Sequence, residues 1–250
     1  MPFCEADPWR LQYFEGVASP PDLRIPTEDP DAYQWNPAHR WVYNKLSVAE
    51  SQGLECGPHG VEPPHFPVFS KPIMNLHGMG VGSRVLRDRA DYQRHETPGH
   101  FWMTLLEGEH VSTDVVVERG RTPWFRHCLG VPAAGGTFDY WTIEAGRRPE
   151  LEQYLGEWAA RHLASYTGML NAESIGGRVI ETHLRVADQW PIFTRRAGSR
   201  RWSGCTSTVP GGRRRASGAP ATVWRSLGRT AANTGIRRHG SSPRCATCRR

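Results

Sequence analysis

The sequence predicts an α+β fold, with helices and antiparallel hairpins mixed along one chain and packed in layers. Three observations point there. Stretches with helical character at 40–54 and 149–165 alternate with short strand-like runs. Turn signals at Glu107-Gly108 and at Ile175-Gly176-Gly177-Arg178 join pairs of those runs. A content of 38% apolar residues, with ten Trp and eight Phe in 250 residues, is enough for a sizeable core.

The elements follow in order. Residues 1–39 carry Pro20, Pro21, Pro26, Pro30 and Pro37 among several acids, the pattern of an extended leader or a reduced domain. RWVYNKLSVAESQGL (40–54) places apolar residues at Val42, Leu46 and Val48 and stops at Gly53, which predicts a short helix. CGPHGVEPPHFP (56–67) is a Pro/Gly loop, and PVFSKPI (67–73) is a strand of alternating character. A Gly-rich stretch, 75–83, links it to Arg84-Val85-Leu86. HFWMTLLEG (100–108) and HVSTDVVVE (110–118) are expected to pair, turned at Glu107-Gly108. After TFDYWTIEA (137–145) a helix runs from about Pro149 to Ser165, with proline and acids favourably placed in its first turn. GMLNAES (168–174) and RVIETHLR (178–185) form the closing hairpin. There are no internal repeats.

The opening MPFCEADPWR has acids and a proline where a secretory signal needs an apolar run, and no later stretch approaches 18 apolar residues. Six cysteines, at 4, 56, 128, 205, 245 and 248, form no framework and suit a reducing compartment. The expectation is a soluble, cytoplasmic protein with no membrane partner. The Cys245–Cys248 pair is half a zinc site at most, with no second pair at suitable spacing.

The formal net charge of +6 conceals two unlike parts. Residues 194–250 hold 14 Arg and no Lys, Asp or Glu, and 29 of these 57 residues are Arg, Gly or Ser. Without those 14, 17 basic residues face 25 acids in 1–193, a net charge of −8. The basic stretch lacks the apolar content to offset its ordering entropy, and the expectation is a disordered tail. It reads in three ways: a solvated extension, an arm that neutralises nucleic-acid phosphates, or the product of a reading-frame change near Phe193.

Only two lysines stand against 29 arginines. Lys71 closes a strand directly before Pro72 and the Gly-rich stretch. A fixed positive charge followed by accessible backbone N–H groups is what phosphate binding needs, although an exposed lysine beside an ordinary turn has the same local sequence. A second cluster holds Glu173, Glu181, His183 and Arg185, a set suited to Mg²⁺ carrying substrate phosphates or to a solvated strand face. Its geometry depends on the turn. A two-residue loop pairs Glu173 with Ile180 and sends the two glutamates to opposite faces, whereas a three-residue loop pairs Glu173 with Glu181 and points both, with His183, the same way. Like charges so placed call for a cation between them. The group Phe138-Asp139-Tyr140-Trp141 fits core packing, or else a wall facing a substrate.

Taken together, YNKLSVAESQGLECGPHG…FPVFSKP, GMGVGS, TLLEGEHVSTDVVV and GMLNAESIGGRVIETHLR resemble, in order and spacing, the ATP-grasp superfamily over about residues 40–193. The gap of eight between Glu173 and Glu181 is most similar to the prokaryotic glutathione synthetase branch. The resemblance implies two α+β subdomains holding ATP between them, the smaller at 40–108 with a Gly-rich flap and the larger at 109–193 with the metal-binding strands. By position, Lys45 and Lys71 would hold the ATP phosphates, and Gly78, Gly80, Gly82 and Ser83 would form the flap. Met103, Leu105 and Leu106 would line the adenine, with Glu109 or His110 at the ribose. Glu173, Glu181 and His183 would bind Mg²⁺, and Arg185 would meet the transferred phosphoryl group or the acyl substrate. The implied chemistry is attack of a carboxylate on the γ-phosphate and capture of the acyl phosphate by an amine or thiol, in an ATP-dependent ligase acting on small molecules. The chain departs from the family pattern at Met103, where a glutamate is usual, at His110 and at His183, where an asparagine is usual. These departures keep open a non-catalytic or truncated nucleotide-binding protein, and the tail a nucleic-acid-binding one.

Overall fold

The computed structural model describes residues 3–12, 24–75, 80–132, 138–187 and 222–225. The N-terminal part contributes β1 (Phe3–Cys4), α1 (Pro8–Leu11), β2 (Ile25–Pro26) and α2 (Asp29–Trp35), with β1 and β2 pairing in parallel. A 3-10 segment, Pro37–Tyr43, leads into α3 (Lys45–Ser51). Next come β3 (Cys56–Pro58), β4 (Val68–Pro72), β5 (Arg84–Leu86), α4 (Arg89–His95) and β6 (His100–Thr104). These four strands form one antiparallel sheet in the order β3-β6-β4-β5.

The rest of the chain builds a second sheet from β7 (His110–Glu118), β8 (Arg121–Pro132), β9 (Phe138–Ile143), β10 (Thr167–Ile175), β11 (Arg178–His183) and β12 (Thr222–Arg225). Their order is β11-β10-β7-β8-β9-β12, and α5 (Pro149–His162) crosses between β9 and β10. Alternation sorts the side chains of this sheet. Val111, Val115 and Val117 of β7 and Leu170 and Ala172 of β10 face the core with Leu151, Leu155, Trp158 and Ala159 of α5. Burying a side chain such as Leu155 or Val115 contributes about 1.5–3 kcal/mol each. The intervening positions, His110, Ser112 and Asp114 on β7 and Asn171 and Glu173 on β10, point to the other face.

Helix α3 docks on the free edge of the larger sheet. Gln52, just past α3, accepts the Val179 N–H at 2.8 Å and donates to the Val179 carbonyl at 2.8 Å. Its side-chain amide thus stands in for a neighbouring strand and covers an edge that would otherwise expose unpaired backbone. The Tyr154 hydroxyl donates to the same Gln52 at 2.7 Å, and Trp158 Nε1 to Ser51 Oγ at 2.9 Å. These contacts tie α3 to α5 as well as to β11.

Several expectations change. The runs at 100–108 and 110–118 do not pair. Strand β6 pairs with β3 and β4, and β7 with β8 and β10, so 105–109 is a connector between sheets rather than a hairpin turn. Residues 56–58, expected in a loop, add a strand to β6, and α2, α4 and β8 have no counterpart in the sequence reading. The stretch 194–250, expected to be a disordered tail, lies outside the described residues except for Thr222–Arg225, which pairs with β9. Among the described residues, no helix is long and apolar enough to cross a membrane.

Candidate functional site

The site is built on the β10–β11 hairpin. Gly176 and Gly177 close it as a two-residue turn, with Ile175 opposite Arg178 and Ser174 opposite Val179, yet Glu173 stands opposite Glu181. Both alternatives of the sequence are therefore realised in one hairpin. The two-residue turn fixes the first register, and Ile180 bulges out and moves the second by one residue. The two carboxylates consequently lie side by side on the face opposite α5.

A bulge removes a carbonyl from the regular ladder and leaves it available to another donor. Lys71 takes it: its Nζ donates to the Ile180 carbonyl at 2.7 Å. Lys45 reaches the adjoining residue, with Nζ 2.7 Å from Glu181 Oε1. Both lysines are 5% exposed. Their placement is local in origin. Asn44 caps α3 by accepting the Ser47 N–H at 3.0 Å, and the Lys45 N–H donates to the Ile73 carbonyl at 2.9 Å, just beyond Lys71-Pro72. The first turn of α3 and the end of β4 thereby deliver their ammonium groups to one point.

Burial, and after it the charge of Lys45, push the Lys71 ammonium down to about 8, although Glu181 and Glu173 counteract them. Glu173 goes the other way for a carboxylate in a buried setting. Burial works to raise it, but the hydrogen bond to His110 and the charges of His110, His183 and Arg185 outweigh that and hold it below its ordinary value. His110 Nε2 lies 3.0 Å from Glu173 Oε2, and its ring meets Phe138 edge-on at 4.7 Å and Trp141 at 5.9 Å. Gly130 lies under this aromatic pair, and a Cβ there would come within 2.7 Å of the Phe138 ring.

Farther along the same face, Asn171 Nδ2 donates to Ser112 Oγ at 2.9 Å and to Asp114 Oδ1 at 3.0 Å. His183 Nδ1 lies 3.0 Å from Asp29 Oδ1, and its Nε2 lies 3.5 Å from Glu181 Oε1. Arg185 Nε lies 3.0 Å from the same Asp29 oxygen. Asp29 and Asn171 escaped the sequence reading, Asp29 because it sits in the proline-rich stretch read as an extended leader or a reduced domain. The only signal for Asn171 was its alternation with Glu173 on β10.

Among the described residues, no three His, Cys, Asp or Glu side chains are gathered closely enough to hold a metal ion. The expected trio Glu173, Glu181 and His183 shares a face but is not a ready ligand set, because Asp29 and Glu181 engage both nitrogens of His183. The two glutamates fit a cation better. Glu173 uses Oε2 toward His110, and Glu181 uses Oε1 toward Lys45 and His183. Each keeps a second oxygen, and Mg²⁺ commonly takes one or two carboxylates and fills its shell with water and phosphate oxygens.

The remaining expected residues fall as follows. Gly78 lies outside the described residues, while Gly80 and Ser83 close a turn (Ser83 N to Gly80 O, 3.0 Å) and Gly82 packs beside His100 and Pro72. Met103 and Leu106 join an apolar cluster with Phe101, Phe69, Ile73 and the side chain of Ile180, so this cluster borders the two lysines; Leu105 is half-buried. Glu109 turns away from the acid pair and accepts from Arg148 NH1 at 2.8 Å, leaving His110 beside Glu173. The connector is pinned at Gly176, whose N–H donates to the Glu109 carbonyl at 3.1 Å; a Cβ on Gly176 would lie 2.3 Å from the Glu107 carbonyl.

No family model matches the chain, and no curated protein matches it. Solved structures do resemble it. An L-amino acid ligase from Bacillus licheniformis is 14% identical over 60% of this chain and 42% of its own, with a TM-score of 0.46. An N5-carboxyaminoimidazole ribonucleotide synthetase from Thermus thermophilus is 16% identical over 71% of this chain and 57% of its own, with a TM-score of 0.46. A protein described as belonging to the ATP-grasp superfamily, from Archaeoglobus fulgidus, is 15% identical over 62% of this chain and 50% of its own, with a TM-score of 0.45. The matched part of this chain thus spans 42–57% of the length of these three structures.

Proposed function

We propose that this is an ATP-grasp-like protein that binds MgATP and serves as an ATP-dependent carboxylate–amine or carboxylate–thiol ligase. One observation carries the reading. Both lysines of the chain, from separate elements and both buried, converge on one bulge whose neighbouring carboxylate faces a second one across the hairpin. Buried cations beside paired acids, next to an apolar cluster, suit a nucleotide triphosphate: the cations meet phosphate oxygens, the acids take Mg²⁺, and the apolar cluster with Met103 and Leu106 takes the base.

The roles follow from the contacts. Lys45 neutralises Glu181; it would meet a phosphate oxygen of the nucleotide, and Glu181 with Glu173 would hold Mg²⁺. Lys71 stays anchored at the Ile180 carbonyl and presents its remaining donors. Mg²⁺, when bound, neutralises charge that develops on the transferred phosphoryl group. Arg185 is the cation for the acyl phosphate or its carboxylate precursor. MgATP binding without turnover is a second reading, favoured by Glu109 being bound to Arg148 and so turned away from the acid pair.

Thermal unfolding with and without MgATP tests the proposal. Nucleotide at about 100 times its Kd adds about 2.7 kcal/mol of stability. The reading expects a shift in the parent that Glu181→Ala and Lys71→Ala both abolish. A folded parent with no shift, or a shift that both variants keep, sinks it. Phosphate release that requires an added carboxylate and amine separates the ligase from the non-catalytic reading.

A further inference from the structure

The segment that follows the bulge is held almost residue by residue by the N-terminal part of the chain. Thr182 Oγ1 donates to the Val42 carbonyl at 2.7 Å, and the Leu184 N–H donates to the Tyr43 hydroxyl at 3.0 Å. His183 and Arg185 both reach Asp29 Oδ1 at 3.0 Å, and the Tyr43 hydroxyl lies 3.3 Å from that oxygen. The Val186 N–H approaches the Pro26 carbonyl at 3.4 Å. Asp29 is the centre of this clamp. It is 6% exposed, stands at the start of α2 and meets His183 across 154 positions of sequence. Burial works against its ionisation, but the hydrogen bond and charge of His183, with those of Arg185, keep its carboxyl below the ordinary aspartate value.

From this juxtaposition we infer that Asp29 is a positioning residue of the nucleotide site. Its carboxylate accepts from His183 Nδ1 and so turns Nε2 toward the acid pair, and the same oxygen holds Arg185 at the edge of that pair. An imidazole has two inequivalent nitrogens, and the partner of one decides what the other presents. With Nδ1–H committed to Asp29, Nε2 faces Glu181 Oε1. The stretch 24–43 is on this account a structural part of the site. The inference rests on the MgATP reading for its functional consequence only; the placement of His183 stands apart from it.

The test uses the whole chain with ¹⁵N-labelled histidine. The parent is expected to show a proton on His183 Nδ1, the nitrogen 3.0 Å from Asp29. In Asp29→Ala the proton moves to Nε2, the usual tautomer without an acceptor at Nδ1. The affinity for Mn²⁺·ATP, used as a probe, then falls about ten- to a hundredfold, the loss typical when an orienting partner just outside a metal site is removed. If Asp29→Ala does not fold, Asp29→Asn of equal size replaces it, with both tautomers populated and a smaller loss of affinity in the same direction. A folded variant whose His183 keeps its Nδ1 proton overturns the inference. So does a changed tautomer with unchanged Mn²⁺·ATP affinity in a chain whose parent binds the probe. A parent that binds no Mn²⁺·ATP overturns the nucleotide reading instead, while the tautomer still decides whether Asp29 orients His183.

Discussion

Replacing Lys71 by methionine separates what this side chain costs the fold from what it contributes to the site. A lysine held at about 8 instead of its ordinary 10.5 costs the folded chain about 3 kcal/mol when it carries its charge at neutral pH. Methionine has nearly the same length and no charge, so Lys71→Met removes that cost. It also strips the Ile180 carbonyl of its donor, now at 2.7 Å, a loss of about 1–3 kcal/mol. The difference leaves the nucleotide-free variant between level with the parent and about 2 kcal/mol more stable at pH 7, or as much as about 8 °C in midpoint at this size. Urea unfolding at pH 7 and pH 10 is the assay. Below the folded-state value of about 8 the parent bears the full cost. Between about 8 and 10.5 the unfolded chain holds the extra proton, so the parent gains stability as pH rises. The variant gains nothing there, so near pH 10 the parent should be the more stable of the two by about the 1–3 kcal/mol of the lost donor. MgATP should stabilise the parent and leave the variant unmoved. A variant weaker than the parent by more than about 1 kcal/mol at pH 7, or a gap that is the same at pH 7 and pH 10, refutes the reasoning.

Two further perturbations address the framework. Gly176→Ala should cost about 2–4 kcal/mol in urea unfolding, because φ is +55° and the new Cβ would lie 2.3 Å from the Glu107 carbonyl; a loss under 1 kcal/mol would mean the connector yields freely. Asn44→Ala removes the cap on the Ser47 N–H and should cost about 1 kcal/mol. Because the cap also sets the start of the helix that carries Lys45, the same variant should weaken MgATP binding, and calorimetry showing parental affinity would contradict that link.

The closing hairpin was legible because Gly176-Gly177 is local turn chemistry with an acid on either side of it. The bulge at Ile180 was not, since two registers satisfied the sequence equally and only the Lys71 ammonium, 109 positions away, rewards the one that frees a carbonyl. Glu107-Gly108 carries the signal of a hairpin turn but serves as a connector, because the partners of β6 and β7 lie elsewhere in the chain and turn chemistry does not see them. Strand β8 was missed because Arg126 and His127 interrupt its apolar run: His127 is buried against Thr113 and Glu152, and polar pairing replaces the alternation on which a strand reading depends. Asp29 was hidden by composition, since prolines and acids describe an extended segment equally well whether or not it lies on the site. The converging lysines could be anticipated only through the family resemblance; no spacing within the chain brings Lys45 and Lys71 to one carbonyl and one carboxylate.

The contact between Asp29 and His183 spans 154 residues, and this sets a clock on the ribosome. At roughly 5–20 residues per second, about 8–30 s pass between synthesis of the aspartate and synthesis of the histidine it holds. By the middle of that interval the strands of the small sheet, α3 and both lysines have been made, while the carboxylates those lysines face have yet to follow. A nascent chain therefore carries an unmatched pair of positive charges. On the proposed MgATP reading, nucleotide capture and the meeting of Asp29 with His183 become one late event, which follows translation of the small sheet and of most of the large one.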